Sequence, residues 1–287
     1  AGLVGIPYEF GNAEKRIRAL YLCGLATRQQ YRSRGIMTRL LARVNEKARE
    51  AGFAFTFLIP SDDGLRKYYH DREYVNAFYR VIDNYTSLHD FNREYESILL
   101  EQKEKVAELK RRYYSSLKTS VFDHMAEDSE SIREGIRALI RGIEDRQQDL
   151  QIIHSDRDIR LLISENVIDK GKIHYVCNQS GTITAAAFTT YSDNSVNIIK
   201  LFCTDLASKY KVLDSVKRLN PDLAIQHYVS SIEMDRSALW MRTYGSFMKD
   251  APQAGAISIT ERVYSLAAHA KVYGMAKILD FSEVLKF

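Results

Sequence analysis

The sequence predicts an α/β (α+β) fold in which a mixed central sheet is flanked by helices. Strand-like and helix-like segments alternate between residues 17 and 59, and a second run of strands lies between residues 172 and 202. The composition is typical of a globular protein, with 45% hydrophobic and 27% charged residues. At roughly 100 to 200 residues per domain, the length of 287 residues predicts about two domains.

The N-terminal segments predict a hairpin, a helix and a parallel strand. Ala1–Phe10 and Ile17–Ala26 are strand-like and are separated by a polar turn. Residues 36–48 carry apolar side chains near the 3.6-residue period, which predicts an amphipathic helix. The apolar run Phe53–Ile59, stopped by Pro60, predicts a buried strand. Because strand–helix–strand connections are right-handed crossovers, the strands on either side of the helix should be parallel neighbours.

The rest of the chain predicts a connector and a second α/β domain. The expected elements after Pro60 are a short helix, a strand over 75–81, polar helices over 92–114 and 129–149, strands over 172–177, 182–191 and 194–202, a helix over 206–219, a strand over 224–229 and a helix over 282–287. We therefore expect a first domain over 1–91, a helical connector over 92–149, a second domain over 150–255 and a C-terminal segment over 256–287.

Charge and cysteine content exclude several classes of protein. Lys+Arg 41 against Asp+Glu 37 gives a net charge of +4, which is too small and too interspersed to indicate nucleic-acid or membrane-surface binding. Cys23, Cys177 and Cys203 are far apart, so they predict neither a disulfide framework nor a metal knuckle and favour a reducing cytoplasm. No apolar run approaches the roughly 18 to 20 residues of a membrane helix. We expect no metal, nucleic-acid or membrane partner, and homo-oligomerisation stays open.

The loop before the first helix predicts an anion-binding site. A strand that feeds a tight loop and then a helix leaves backbone N–H groups without intrahelical partners. Several such groups are expected within the segment of Arg32, Ser33, Arg34, Gly35, Ile36, Met37 and Thr38. The helix macrodipole adds about half a positive charge there, worth on the order of 0.3 to 2 kcal/mol for a bound phosphate. The spacing matches neither a Walker A loop nor a dinucleotide GxGxxG motif.

The same loop resembles a known cofactor loop. The pattern Arg32-x-x-Gly35-x-Met37 is similar to Arg/Gln-x-x-Gly-x-Gly/Ala, the acetyl-CoA pyrophosphate loop of the GNAT acyltransferase superfamily, with Met37 as the departure. The order and spacing of the elements match over residues 1 to about 82. The resemblance implies acetyl-CoA as co-substrate, with its pyrophosphate on the loop. It also implies that the pantetheine arm lies along a strand edge lined by Leu25, Ala26 and Thr27.

A later segment resembles the tyrosine motif of the same superfamily. Residues 65–74 are similar to the family ending Leu-Tyr-x-x-x-Gly-Phe, with Tyr69 on the tyrosine, Glu73 on the glycine and Tyr74 on the final aromatic residue. In many members this tyrosine protonates the leaving thiolate of CoA, so the resemblance implies that Tyr69 is the general acid. The alternative is a tyrosine that only packs its ring. Asp62 and Asp63 could orient an amine or could serve as a helix cap or turn.

The domain layout resembles multidomain acetyltransferases related to the enhanced-intracellular-survival aminoglycoside acetyltransferases, in which the second domain is a degenerate GNAT copy. This resemblance implies that the chain lacks the strand and helices that begin a GNAT domain and a sterol-carrier-like domain after its last segment. It also implies an N-acetyltransferase that joins acetyl-CoA and a primary amine of a small molecule or peptide in a ternary complex, with direct attack on the thioester. A non-catalytic acyl-CoA-binding or scaffold protein and a nucleic-acid-binding module stay open as alternatives.

Overall fold

A computed structural model describes residues 1–12, 14–84, 108, 111–146, 151–230 and 271–280. Its strands are β1 (Gly2–Gly11), β2 (Arg16–Ala26), β3 (Phe55–Leu58), β4 (Val75–Asn84), β5 (Lys118–Val121), β6 (Gln151–Ile153), β7 (Lys172–Cys177), β8 (Ile183–Tyr191), β9 (Ser195–Cys203), β10 (Ala224–Ser230) and β11 (Lys271–Ile278). Its α-helices are α1 (Ile36–Glu50), α2 (Asp63–His70), α3 (Ser129–Glu144), α4 (Asp156–Ile168) and α5 (Leu206–Leu219).

The chain forms two compact units, and neither is one continuous segment. The first takes its described residues from 1–80, 144–154 and 270–287, and the second takes them from 81–143 and 155–269. The second unit is therefore nested within the sequence of the first. The fold class expected from the sequence, α/β with mixed sheets flanked by helices, is confirmed.

The sheet of the first unit has the strand order β4-β11-β3-β2-β1-β6. β1 and β2 form the expected antiparallel hairpin, and β2 and β3 are the expected parallel neighbours, with Ala19 opposite Phe55. β11 lies antiparallel between β3 and β4. No strand is expected from the sequence over residues 271–278, and the pairing of β11 depends on residues far away along the chain.

Each face of this sheet carries its own hydrophobic cluster. The face that packs against α1 and α2 contains the buried residues Leu22, Leu41, Leu58, Tyr69, Tyr74 and Met275. The other face is largely aromatic, and Phe10 and Phe57 meet there edge to face with ring centroids 5.2 Å apart. Such pairs contribute roughly 0.5 to 1.5 kcal/mol beyond the burial of their area. The two clusters hold the strands and helices that shape the candidate site.

A buried polar network joins α1, β3 and the turn before β4. The Thr56 hydroxyl donates a hydrogen bond to Asn45 Oδ1 at 2.8 Å and lies 3.0 Å from the Tyr74 hydroxyl. The Tyr74 hydroxyl donates to the same Asn45 oxygen at 3.2 Å. All three side chains are buried. Because buried polar groups are costly without partners, this network fixes the spacing of the three elements.

The second unit is a sheet with helices on both faces. Its strand order is β5-β7-β8-β9-β10, in which β10 pairs parallel to β9 and the other pairs are antiparallel. The apolar sides of α3 and α4 pack on one face with Ile173 and Phe188, and α5 packs on the other face with Val176 and Ala185. Helix α4 begins with a capping box between Ser155 and Asp158, a start signal that fits the sequence rules for helix N-termini.

The second unit repeats the order of elements of the first. A hairpin (β8 and β9), a helix (α5) and a parallel strand (β10) follow one another, as β1, β2, α1 and β3 do. The connection into the helix differs, since only Thr204 and Asp205 lie between β9 and α5. The Asp205 carboxylate accepts a hydrogen bond from the Ser208 N–H at 2.8 Å and caps the helix. An anion of the chain itself therefore occupies this helix start.

Parts of the predicted elements lie outside the described residues. The helix expected over 92–114 lies there except for a few residues, and the helix expected over 282–287 lies there entirely. The helix expected over 129–149 is α3, which ends at Glu144. Within the described ranges, no helix combines the length and the apolar character that a membrane span requires.

Candidate functional site

The site is built around the loop that connects β2 to α1. A single 3-10 turn, Gln29–Tyr31, starts the loop, and Ser33 follows in the left-handed region with φ 58°. Gly35 caps α1 with φ 67° and ψ 10°, a conformation that favours glycine. A Cβ built on Gly35 would meet nothing closer than the Arg39 Nη1 atom at 3.7 Å. The start of α1 is therefore open.

The first turn of α1 presents free backbone donors. No side chain caps this helix, and no described atom accepts a hydrogen bond from the N–H groups of Ile36, Met37 or Thr38. There is also no acidic residue in this turn. The expectation for Arg32 is wrong in one respect, because its backbone N–H donates to the Gln29 carbonyl oxygen at 3.1 Å and is not available to an anion. The 3-10 turn uses that donor.

Arginine side chains surround the loop. Arg32 Nε donates to the Thr27 carbonyl oxygen at 3.2 Å, so this side chain ties the two ends of the loop together. The Arg34 guanidinium carbon lies 5.7 Å from the centroid of the Tyr31 ring. Arg32 and Arg34 are exposed. The loop thus carries positive charge from two arginine side chains that are exposed to solvent.

The strands next to the loop part from each other. The pairing of β2 with β3 stops at Tyr21 and Phe57, although β2 continues to Ala26. Gly24 lies in this last part of β2 with φ 61°, and the register with β1 shifts at the same place, which marks a bulge. On the β3 side, the described backbone of Leu25 and Ala26 has no strand partner. Thr27, the third residue expected here, follows directly and holds the Arg32 side chain.

Helix α2 carries the expected tyrosine. Asp62 is its N-cap and accepts a hydrogen bond from the Leu65 N–H at 2.8 Å. This bond lowers the pKa of the Asp62 carboxyl. Asp63 pairs with Arg66 at 2.7 Å. The cap interpretation of Asp62 is therefore confirmed, and both carboxylates have partners within α2.

Tyr69 lies at the interface between α2 and the sheet. Its side chain is only 5% exposed. Burial is the largest cause that raises the pKa of its hydroxyl, followed by the neighbouring Tyr68 and Tyr74, so the phenol is protonated at neutral pH. No hydrogen bond to a described residue engages the hydroxyl. Leu25 and Met37 pack against the same cluster as Tyr69, so three of the expected site residues come together there.

The turn after α2 has glutamate at the position where the family pattern has glycine. Glu73 replaces the expected glycine and has φ 66°, a value that side-chain-bearing residues seldom adopt. Its carboxylate pairs with Lys277 Nζ of β11 at 2.5 Å, and this pair lowers the pKa of the Glu73 carboxyl. The same ammonium donates to the Arg72 carbonyl oxygen at 3.3 Å. The last strand of the unit therefore fastens this turn.

One residue that sequence reasoning missed reaches the start of α1. Arg72 donates from Nε and Nη2 to the Thr38 hydroxyl oxygen at 3.1 and 2.6 Å. Its guanidinium carbon lies 3.5 Å from the centroid of the Tyr68 ring. Nothing in the spacing of Arg72 from Tyr69 indicates this contact, because it depends on how α2 packs against α1.

These features define the first unit as an α/β domain in which an uncapped helix start lies beside two splayed parallel strands. Residues 1–75 match the family model of the acetyltransferase (GNAT) domain. The resemblance to the GNAT superfamily that the sequence predicts is therefore confirmed. No significant match was found among curated protein sequences.

Solved structures support the same fold. A probable N-acyltransferase from Enterococcus faecalis superposes with a TM-score of 0.62 at 9% identity, covering 99% of this chain and 60% of that one. A GCN5-related N-acetyltransferase from Anabaena variabilis gives 0.61 at 10% identity over 99% and 61% of the two chains. Eis1 from Mycobacterium abscessus gives 0.53 at 11% identity over 97% and 61%. The chain spans about three fifths of the length of these proteins, and the likeness shows the fold.

Proposed function

We propose that this chain is an acetyl-CoA-dependent N-acetyltransferase that acetylates a primary amine of a small molecule or peptide. The observation that carries the proposal is the open start of α1. Its first turn has three N–H groups that no described atom accepts, and its glycine cap lies in the left-handed region. The strand before it has just left its parallel neighbour. The match of residues 1–75 to the acetyltransferase (GNAT) domain supports the assignment.

The pyrophosphate of acetyl-CoA would lie at the start of α1. The N–H groups of Ile36, Met37 and Thr38 point along the helix axis beyond its N-terminus, and the macrodipole favours an anion at that position. Gly35 leaves space for a phosphate close to the backbone. Ser33 and Arg34 complete the loop and add polar groups and charge. The Met37 side chain packs inward on the core cluster, so it leaves the backbone donor of this residue accessible.

The pantetheine arm would lie along the unpaired end of β2. Leu25 and Ala26 have backbone groups without a strand partner on the β3 side, and an extended amide-bearing chain can pair with such an edge. Thr27 is the first residue after this edge, where the chain enters the loop. The bulge at Gly24 lies in this part of β2, beyond the last pair with β3, and a bulge bends the strand that carries it.

Tyr69 would act as the general acid. In direct attack, the amine nitrogen forms a bond to the thioester carbonyl carbon, the carbon–sulfur bond breaks, and the amine gives up one proton to solvent. The leaving thiolate needs a proton, which a protonated phenol can supply. Burial raises the pKa of Tyr69 and keeps its proton in place until that step. The phenolate is then reprotonated from solvent.

The test is calorimetric titration of the full chain with acetyl-CoA, using Gly35→Asp and its neutral match Gly35→Asn. Both side chains tolerate a left-handed cap, so the two variants differ mainly in one negative charge. A carboxylate about 5 Å from a phosphate costs about 3 kcal/mol at an effective dielectric of 20, or roughly a hundredfold in affinity. We expect micromolar binding by the unaltered chain, a small change in Gly35→Asn and a large loss in Gly35→Asp.

An activity measurement separates the proposal from the alternative of a non-catalytic acyl-CoA-binding protein. The chain is incubated with acetyl-CoA and a panel of primary amines, and free thiol is measured. Thiol release that depends on an amine supports the transferase. Tight binding of acetyl-CoA without turnover on any amine supports the binding protein, and no binding by the unaltered chain refutes both.

A further inference from the structure

Arg72 is a cation whose described contacts include no anionic partner. Its Nε and Nη2 atoms donate to the Thr38 hydroxyl, and its Nη1 atom donates to the Tyr68 carbonyl oxygen at 2.5 Å. The Tyr68 ring lies against the guanidinium. All of these partners are neutral, and no described carboxylate forms an ion pair with Arg72. A guanidinium has five N–H donors, so one N–H on each terminal nitrogen is left over.

The position of this cation is unfavourable in the absence of a ligand. Thr38 is the third residue of α1, so the guanidinium is held at the positive end of the helix dipole. Cations are stabilised at the other end of a helix, and anions are stabilised here. The side chain is also partly buried, which removes some of the water that would otherwise solvate it. An anion at the start of α1 would meet the dipole, the free N–H groups and Arg72 together.

We propose that Arg72 binds a phosphate oxygen of the CoA moiety from the α2 side, next to the first turn of α1 that supplies the backbone donors. The inference rests on the proposed function and adds to it a second, side-chain arm of the phosphate site. Thr38 and Tyr68 hold the guanidinium in place before the ligand arrives. A planar guanidinium that is already oriented loses little entropy when it forms charge-assisted hydrogen bonds.

The experiment measures the affinity of the full chain for CoA and for pantetheine, which lacks the phosphates, in Arg72→Gln and Arg72→Lys. Loss of a charge-assisted hydrogen bond to phosphate should weaken CoA binding by about tenfold in Arg72→Gln, with a smaller loss in Arg72→Lys. Pantetheine affinity should be unchanged. Added salt should weaken CoA binding less in Arg72→Gln than in the unaltered chain, because one interaction with an anion is gone.

Arg43→Gln is the matched control. Arg43 lies on α1 and is exposed in an ion pair with Glu46, so its loss removes the same charge from a position away from the N-terminal turn of this helix. It should leave CoA affinity unchanged. Equal losses for CoA and pantetheine in Arg72→Gln would mean that Arg72 only holds α2 against α1, and would overturn the inference. Unchanged CoA binding and salt dependence in Arg72→Gln would also overturn it while leaving the proposed function intact. If the unaltered chain does not bind CoA, both are refuted.

Discussion

The buried network of Asn45, Thr56 and Tyr74 predicts that two mild substitutions cost more together than the sum of their separate effects. Asn45 Oδ1 accepts hydrogen bonds from both hydroxyls. In Tyr74→Phe the Thr56 hydroxyl still satisfies it, and in Thr56→Val the Tyr74 hydroxyl does so. Each single change should therefore remove one hydrogen bond and lower the free energy of unfolding by about 1 kcal/mol.

The double variant leaves the Asn45 oxygen buried without a donor. A buried acceptor that has lost its partners costs a further ~1 to 3 kcal/mol, so the total should be about 3 to 5 kcal/mol. Both substitutions nearly preserve side-chain volume, which keeps cavity effects small. The coupling energy between the two changes is thus expected to be unfavourable by about 1 to 3 kcal/mol, the cost of leaving this acceptor without a donor.

The assay is urea unfolding of the full chain followed by circular dichroism, with hydrogen exchange of peptides from α1 and β3 to identify the transition of the first unit. Tyr31→Phe serves as a control, because this tyrosine is 41% exposed and its hydroxyl should contribute little. If the double variant is only as destabilised as the sum of the single variants, or less, then Asn45 is not the shared acceptor and the reasoning is refuted.

Two further predictions address catalysis and pH. Tyr69→Phe should lower kcat by about 10² to 10⁴ while CoA affinity measured by calorimetry changes little, because a general acid acts on the chemical step; an unchanged kcat would show that Tyr69 only packs. His174 is 0% exposed, neither of its ring nitrogens has a partner among the described residues, and burial lowers its pKa to about 4. Since the folded-state pKa lies below the unfolded value of about 6.5, stability should fall as pH drops from about 6.5 to about 4, by roughly 3 kcal/mol from this group. His174→Leu should therefore make the free energy of unfolding depend less on pH between about 6.5 and about 4. A slope remains from His227, because burial lowers the pKa of this histidine to about 3. If the slope is the same in His174→Leu as in the unaltered chain, burial of His174 does not cause the loss of stability.

Local patterns in the sequence were sufficient for the first hairpin, α1 and β3. Each of these elements is encoded by the spacing of its own apolar residues, and the open start of α1 follows from the placement of Gly35. The parallel pairing of β2 with β3 follows from the handedness of short crossovers. The expected cofactor residues and the role of Tyr69 stay predictions until a ligand is bound.

Contacts between distant segments could not be predicted. The insertion of β11 beside β3 and the reach of Arg72 to Thr38 depend on packing between elements, which no local pattern encodes. The conformation of Glu73 is a second example of a feature that depends on a distant residue. The sequence places a poor residue at a left-handed position, and the structure adds the ion pair with Lys277, a residue about two hundred positions away, that partly offsets the backbone cost.

The place of β11 in the sheet has a consequence for biosynthesis. β3 and β4 are separated by the gap that residues 271–278 fill, so a nascent chain exposes two facing strand edges until those residues leave the ribosome. At about 5 to 20 residues per second, translation from β3 to β11 takes roughly 10 to 40 seconds. During that interval the sheet of the first unit is incomplete and has exposed strand edges, which are surfaces that chaperones bind and at which aggregation begins. The first unit therefore begins to be synthesised before the second unit, but its sheet is completed only after the second unit has been synthesised.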